Sequence, residues 1–323
     1  MASSESTAPR CRQLATELEK MMGLAVVGQE QVVEQMLVTI LAGGHVLLEG
    51  VPGVGKTLLA RALAHCLGLE FKRVQMTPDL MPSDIIGTNV FEPEQRLFRL
   101  RKGPVFTSLL LADEINRAPA KTQAALLEAM QERQVTIDGE TYPLDPNFTV
   151  FATQNPIEYE GTYPLPEAEV DRFALKVRVD YPEEAQEQEL LRRVHHGFRD
   201  THLEEAGLRP TWGPAELDAC RQEIAARRVE DPVLAYIATL VRTTRHHDQL
   251  LLGCSPRAGV MLLQAAKVIA ALRDRAFVTP DDIKDIAQPV LRHRLLLRPE
   301  ADIEGIRAEQ IIQEVLARVP VPR

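Results

Sequence analysis

Cysteine is scarce in this sequence. Its four cysteines, Cys11, Cys66, Cys220 and Cys254, lie far apart. They form no CxxC pair and show no spacing that is typical of zinc ligands. We therefore expect reduced thiols, no structural zinc and a cytoplasmic location.

Long hydrophobic runs are also missing. No apolar stretch approaches the roughly 18 residues that span a bilayer, so membrane insertion is not expected. The beginning of the chain, MASSESTAPR, has no apolar segment of the kind found in signal peptides. It predicts a short disordered tail over residues 1–10.

Basic residues are fewer than acidic residues. The chain has 37 Lys and Arg against 46 Asp and Glu, a net charge of -9, and a pI near 5.5. Such a surface disfavours a dedicated non-specific binder of nucleic acids or of anionic membranes. The composition is otherwise that of an ordinary globular protein, and 323 residues are enough for about two domains.

The first half of the sequence alternates apolar runs with helical patterns. Three continuous apolar runs predict buried strands of a parallel sheet: HVLLEG (45–50), VFTSLLLADE (105–114) and FTVFATQNP (148–156). Two helical patterns lie between them, TLLARALAHCLG, which Gly68 ends, and KTQAALLEAMQERQ. This order predicts an α/β fold with right-handed crossovers.

Two polar segments interrupt the alternation, and each precedes a predicted core strand. The first contains NVF and RLFRL around a turn at EPEQ, which predicts a β-hairpin. In the second, VTI and TYPL flank Asp138-Gly139, a dipeptide typical of tight hairpin turns.

The second half of the sequence is helical. Asp231-Pro232 and Thr279-Pro280 predict helix starts, with proline at the first helical position. The segment 195–213 reads as an exposed connection. We place the domain boundary near residue 185, with an α/β domain over residues 11–184 and an all-α domain over residues 185–323.

A phosphate-binding loop follows the first predicted strand. The residues GVPGVGKT match the pattern G-x-x-x-x-G-K-[ST] between a strand and a helix. Backbone N–H groups of such a loop surround phosphate oxygens, while its lysine reaches the outer phosphates and its hydroxyl binds Mg²⁺. The predicted nucleotide-binding residues here are Gly50, Gly53, Val54, Gly55, Lys56, Thr57 and Leu58.

Two acids end the second apolar strand. In a phosphate-loop nucleoside triphosphatase, a strand-end aspartate orders the Mg²⁺ ligands, so Asp113 joins Thr57 as a predicted metal residue. The neighbouring Glu114 is placed to act as the general base for water. The pair therefore favours ATP hydrolysis over a simple nucleotide switch.

The order of these motifs resembles the AAA+ ATPases and, within them, the MoxR family. The resemblance covers about residue 20 to the C-terminus. It rests on VVGQE, GVPGVGKT, LLLADEINRAPAKTQAALLEAMQE, FATQNPIEYEGTYPLPEAEVDRF and GCSPRAGVML. It implies a parallel sheet sandwiched by helices, with two β-hairpin insertions, followed by an all-α lid domain.

The resemblance also implies residue roles. Asn155 would be a sensor of the γ-phosphate, and Arg172 an arginine finger that reaches the nucleotide of a neighbouring subunit. Arg257 would be a second sensor in the lid, while Val27 and Gly28 would line the adenine pocket. From the residues alone, alternatives stay open: a strand-end cap for Asn155, a partner of Asp171 or Glu169 for Arg172, and a surface position for Arg257. Arg117 competes for the role in trans.

The implied cofactors are ATP or ADP with Mg²⁺, and the implied assembly is a hexameric ring. The implied role is chaperone-like: remodelling, maturation or metal and cofactor loading of a client protein. A protein with a von Willebrand factor A (VWA) domain is the implied partner.

Three other functions remain as alternatives. Related helicases share hairpin insertions, but the acidic pI disfavours a nucleic-acid motor. A transcription regulator of the enhancer-binding type would carry a GAFTGA loop, which the sequence lacks. The presence of both Glu114 and Asn155 disfavours a binding module that does not hydrolyse its nucleotide.

Overall fold

The computed structural model describes residues 10–156 and 161–322. These residues form two compact units, one over Met22–Pro210 and the other over the described residues before and after it. The predicted tail lies outside the described range except for Arg10, where the first helix begins. Among the described residues, no helix has the length and apolar character needed to cross a membrane.

The α-helices, in chain order, are α1 (Arg10–Ala25), α2 (Glu30–Leu41), α3 (Lys56–Cys66), α4 (Pro82–Ile86), α5 (Ala120–Glu132), α6 (Glu167–Val170), α7 (Glu184–His195), α8 (Pro214–Ala225), α9 (Asp231–Thr244), α10 (Pro256–Leu272), α11 (Pro280–Leu291), α12 (Pro299–Ile303) and α13 (Ala308–Arg318). One-turn 3₁₀ helices span Ile115–Arg117 and Arg292–Arg294.

The strands are β1 (Val46–Glu49), β2 (Phe71–Gln75), β3 (Gly87–Glu92), β4 (Leu97–Lys102), β5 (Leu109–Asp113), β6 (Gln134–Ile137), β7 (Glu140–Pro143), β8 (Thr149–Gln154), β9 (Leu175–Arg178), β10 (Leu250–Leu252) and β11 (Leu296–Leu297). The three apolar runs expected to form core strands contain β1, β5 and β8.

A five-stranded parallel sheet organises the α/β unit, in the order β2-β5-β8-β1-β9. All five residues of β5 are buried, as expected for a parallel strand that is covered on both faces. Phe148, Phe151 and Phe173 are fully buried around the sheet. The predicted α/β fold is confirmed.

Helix α3, which follows the phosphate-binding loop, ends at Cys66, and the predicted terminator Gly68 follows two residues later with a φ of 60°. The N–H of Leu69 donates to the carbonyl of Ala64, and that of Gly68 to the carbonyl of His65. These bonds satisfy carbonyl groups at the end of the helix.

Both predicted hairpins are present. Strands β3 and β4 are antiparallel, and the exposed rings of Phe91 and Phe98 face each other with centroids 5.3 Å apart. Strands β6 and β7 meet at Asp138 and Gly139, whose φ angles of 51° and 86° suit a type I′ turn.

The other unit is helical, with one short antiparallel pair, β10 and β11. Thr279 caps α11 as its sequence predicts, accepting from the N–H of Asp282, whose carboxylate in turn accepts from the Thr279 N–H at 2.9 Å. Asp282 is fully buried, and Arg275 pairs with it. The helical character predicted for the second half of the chain is confirmed.

The division into compact units falls after Met21 and after Pro210, whereas the predicted boundary lies near residue 185. Helix α7 and the segment up to Pro210 belong with the sheet, since the Arg61 guanidinium donates to the Asp200 carbonyl at 3.3 Å. The residues of α1 up to Met21 belong to the helical unit, where the Cys11 thiol donates to the Cys220 carbonyl at 3.5 Å.

Candidate nucleotide-binding and catalytic site

A cleft of about 740 Å³ lies at the carboxyl ends of β1, β5 and β8. This is the edge of a parallel sheet at which α/β proteins bind ligands. The cleft brings together these predicted residues: Val27, Gly53, Val54, Gly55, Lys56, Thr57, Leu58, Asp113, Glu114 and Asn155. They come from four separate parts of the chain, so the fold assembles the site.

The phosphate-binding loop has the backbone that its glycines permit. Gly53 and Gly55 have φ angles of 87° and 84°, in the left-handed region. Among the described residues, no atom beyond the adjoining residues lies within 4 Å of the position of an added Cβ. A side chain at either residue would be strained and would project into this open space. The loop therefore leaves room for a phosphate at the N-terminus of α3.

Lys56, the first residue of α3, turns back over the loop. Its ammonium group donates to the carbonyl of Gly50 and to that of Val51, the latter at 3.0 Å. These bonds hold the positive charge inside the cleft, where the outer phosphates of a nucleotide would lie.

Asp113 ends β5, and both of its carboxylate oxygens accept hydrogen bonds. The Thr153 hydroxyl donates to Oδ1 at 2.6 Å. The Arg73 guanidinium donates to Oδ2 from Nε at 3.0 Å and from Nη2 at 2.7 Å. The aspartate is thus oriented from two neighbouring strands, β8 and β2.

Glu114 has a strained backbone, with φ of 60° and ψ of 54°. Such a conformation costs about 1–3 kcal/mol in a residue other than glycine. The Thr153 hydroxyl stabilises it by accepting the Glu114 N–H at 2.7 Å. The Glu114 carboxylate accepts from Gln75 Nε2 at 2.6 Å and lies 3.2 Å from Arg117 Nε.

Sequence reasoning missed Arg73, Gln75 and Thr153. Arg73 and Gln75 alternate at the end of β2, a strand that the sequence analysis did not identify. A partial signal was present, because FKRVQ places two polar side chains on one face of a short β-type run. Thr153 was seen only as part of an apolar run.

Asn155 and Arg172 lie at different ends of the sheet. Asn155 follows the last residue of β8, is 6% exposed and lines the cleft. Arg172 precedes β9, which runs parallel to β1, so it lies at the amino edge. Arg172 does not line the cleft of its own chain.

The remaining predicted residues lie outside the cleft lining. Gly50 approaches the Val179 carbonyl too closely for a side chain, and Gly28 packs against Gln186 in the same way. Arg257 is exposed near the start of α10, in the helical unit.

Helix α7 and the segment after it supply a second wall that the sequence analysis placed beyond the domain boundary. Leu190 and Val194, four residues apart on one face, join Phe198 in the cleft lining. With Val26 and Val27 they form an apolar lining suited to a flat ring such as a purine base. The i, i+4 spacing of Leu190 and Val194 was the available sequence signal.

The donors of the cleft fit Mg²⁺ and a nucleoside triphosphate. Thr57 and Asp113 offer oxygen atoms, which this ion prefers over nitrogen and sulfur. The loop and Lys56 offer the backbone N–H groups and the cation that phosphates require.

Two family models match the chain. The model described as the ATPase family associated with various cellular activities (AAA) matches residues 45–175. A model described as an AAA lid domain matches residues 242–315. The first match contains the phosphate-binding loop and the ends of β5 and β8, and the second lies within the helical unit.

Several relatives match most of the length of this chain. The chain is 45% identical to the protein named Chaperone MoxR1 of Mycobacterium tuberculosis, over 92% of this chain and 80% of that protein. It is 44% identical to YeaC of Bacillus subtilis, over 95% of this chain and 96% of that one. It is also 34% identical to Protein MoxR of Methylorubrum extorquens, over 96% of each.

A crystal structure of a protein from Cytophaga hutchinsonii superposes on this chain with a TM-score of 0.89 at 43% identity. The match covers 97% of this chain and 96% of the other.

Proposed function

Because this chain belongs to the MoxR family of AAA+ ATPases, we propose that it binds ATP with Mg²⁺ in the cleft and hydrolyses it to drive chaperone-like remodelling of a client protein. The observation that carries the proposal is the convergence of Lys56, Asp113, Glu114 and Asn155 at one edge of the sheet. Each is the residue type that phosphoryl transfer to water requires at that place.

The proposed roles follow from position and chemistry. Lys56 and the loop bind the phosphates, and Thr57 and Asp113 would hold Mg²⁺, which would neutralise charge on the phosphate oxygens. Glu114 takes a proton from the attacking water as general base. Asn155, at the mouth of β8, donates to the γ-phosphate or orients the water.

We propose that the active form is a ring, hexameric by resemblance, in which Arg172 completes the neighbour's site. The position of Arg172 at the amino edge of the sheet supports this role, because its own nucleotide would bind at the carboxyl edge. A trans arginine contributes about 10³ to 10⁵ in rate, so hydrolysis would depend on assembly. Arg117 contacts Glu114 of its own chain, which favours Arg172 over Arg117 as the trans residue.

Two assignments rest on family resemblance alone. Arg257 is proposed as a nucleotide sensor because SPRA matches the family pattern. A VWA-domain protein is proposed as the partner with which the ring remodels or matures its client. The proposed cytoplasmic location rests instead on the scattered cysteines.

The test of the proposed function is ATP binding and turnover by the purified chain and by Lys56→Ala. Lys121→Ala removes an exposed lysine on α5 and serves as the control. We expect Lys56→Ala to lose ATP binding and Lys121→Ala to retain it. Micromolar ATP affinity in Lys56→Ala would overturn the assignment of the loop.

The client is identified by a second experiment. Affinity capture with Glu114→Gln, expected to hold ATP, should retain the client or a VWA-domain partner, whereas Lys56→Ala should not. Stimulation of turnover by DNA rather than by the captured partner would instead favour a nucleic-acid motor.

A further inference from the structure

A chain of hydrogen bonds on β2 connects the two acids of the site. The Arg73 guanidinium, besides its two bonds to Asp113, donates to Gln75 Oε1 at 2.8 Å. Gln75 Nε2 in turn donates to Glu114 Oε2 at 2.6 Å. The metal-binding aspartate and the general base are thus joined through two side chains of one neighbouring strand.

Arg73 occupies the oxygen of Asp113 that Thr153 leaves available. Thr153 takes Oδ1, and Arg73 takes Oδ2 with two donors. The Asp113 side chain is 12% exposed, whereas the Arg73 side chain is 45% exposed and has a path to solvent. A guanidinium and a divalent cation at the same carboxylate repel each other, so they compete for it.

We propose that Arg73 is a displaceable counter-ion of Asp113 that sets the Mg²⁺ requirement of nucleotide binding. When Mg²⁺ binds at Asp113, Arg73 gives up part of its contact with Oδ2. This inference rests on the proposed function of the same cleft.

Arg73 also has an alternative, purely structural role. Its side chain bonds β2 to β5, and in the register of these two strands Arg73 lies opposite Leu111. A structural pair would affect stability and nucleotide affinity equally with and without metal. A counter-ion would change only the Mg²⁺ dependence, so the two roles separate in one titration.

The experiment measures binding of the fluorescent, non-hydrolysable analogue mant-AMP-PNP, first in EDTA and then during a Mg²⁺ titration. Arg73→Met removes the charge and keeps most of the side-chain length. Arg99→Met is the control, because Arg99 is an exposed arginine on β4 whose only partner in the described ion pairs is Glu92.

In Arg73→Met we expect affinity in EDTA to be unchanged and the half-saturating Mg²⁺ concentration to fall roughly three- to tenfold, the range for a partly exposed, charge-assisted pair. Arg99→Met should match the wild type. Mn²⁺ affinity, measured directly by electron paramagnetic resonance with AMP-PNP present, should be higher in Arg73→Met than in the wild type and in Arg99→Met. A half-saturating Mg²⁺ concentration that stays unchanged or rises would overturn the counter-ion role.

Arg73→Lys covers the case in which Arg73→Met fails to fold. Lysine keeps a point charge but loses the paired donors. The half-saturating Mg²⁺ concentration of Arg73→Lys should therefore stay within about twofold of that of the wild type. A fall as large as that expected for Arg73→Met would contradict charge competition. If the wild-type chain fails to bind mant-AMP-PNP, the proposed function itself fails; if it binds and Arg73→Met behaves like wild type, only this inference does.

Discussion

Asn155 lies at the carboxyl ends of the strands of the parallel sheet, whereas Arg172 lies at their amino ends. Asn155 follows β8 and Arg172 precedes β9, and both strands pair in parallel register with β1. Part of the segment between them is anchored near Glu114, because the Tyr163 N–H donates to the Asn116 carbonyl at 2.6 Å and Gln123 donates to the Tyr163 carbonyl at 2.9 Å. The described part of the connection, at Tyr163, therefore lies close to Glu114.

Subunit mixing tests whether Arg172 acts in trans. Arg172→Ala should lower ATP turnover by about 10³ or more. Mixed with Lys56→Ala subunits, it should regain measurable activity, since a ring then contains sites with an intact loop next to an intact arginine. The measurement is phosphate release as a function of mixing ratio.

The control mixture combines Glu114→Gln with Lys56→Ala. Both changes damage a subunit's own half of the site, so no complete site forms and turnover should stay low. If the Arg172→Ala mixture is no more active than this control, under conditions where mixed rings are seen by native mass spectrometry, Arg172 is not the trans residue.

Replacement of Glu114, the proposed general base, should separate binding from hydrolysis. Glu114→Gln should bind ATP with wild-type affinity and lower the turnover number by about 10² to 10⁴, because the amide cannot accept the proton of water. Glu128→Gln, at an exposed position of α5, is the matched control. Wild-type turnover in Glu114→Gln, measured by phosphate release, would remove Glu114 as the base.

Thr153 is expected to position both acids. Thr153→Val removes the bonds to Asp113 Oδ1 and to the Glu114 N–H. We expect turnover to fall about ten- to a hundredfold, because a small displacement of the base is costly, and stability to fall by about 1–2 kcal/mol.

The control for this change is Thr149→Val, at the other end of β8. Its hydroxyl is equally buried and donates to the Asn147 carbonyl at 3.1 Å. It should lose similar stability in urea unfolding while keeping wild-type turnover. Equal losses of turnover in the two variants would reduce Thr153 to a structural role.

His45 should make stability depend on pH. Burial lowers its pKa from 6.5 to about 4, with Arg133 adding to the effect against an opposing bond from Met130. Nδ1 accepts the Val150 N–H at 2.9 Å, and the other ring nitrogen lies 3.0 Å from the Met130 carbonyl, so the neutral ring is held on both sides.

The sign follows from the two pKa values. The unfolded chain binds a proton near pH 6.5 and the folded chain only near pH 4, so stability is fully present above 6.5 and falls as the pH drops through this window. Between about pH 7.5 and about pH 5 this histidine should account for roughly 2 kcal/mol of lost stability. His45→Leu should be less stable near neutral pH but should lack this component in urea unfolding. An unchanged pH dependence would show that His45 is not its source.

Much of the fold followed from local patterns. The apolar runs that contain β1, β5 and β8 predicted the parallel sheet, because only strands covered on both faces are apolar throughout. The turn at Asp138 and Gly139 predicted its hairpin through backbone conformation alone. The division of the chain was harder to predict, since helix α7 has a polar composition but supplies Leu190 and Val194 to the cleft.

The sequence by itself determined the chemistry of the site. Asp113, Glu114 and Asn155 each stand at or next to the end of an apolar strand, and Lys56 follows β1 through the phosphate-binding loop. Parallel strands end at a common edge, so the convergence of these residues follows from spacing. Only the tertiary structure decided which side chains orient them. Arg73, Gln75 and Thr153 reach the acids because β2 and β8 flank β5, and strand order depends on packing between segments far apart in the chain, which local patterns do not encode.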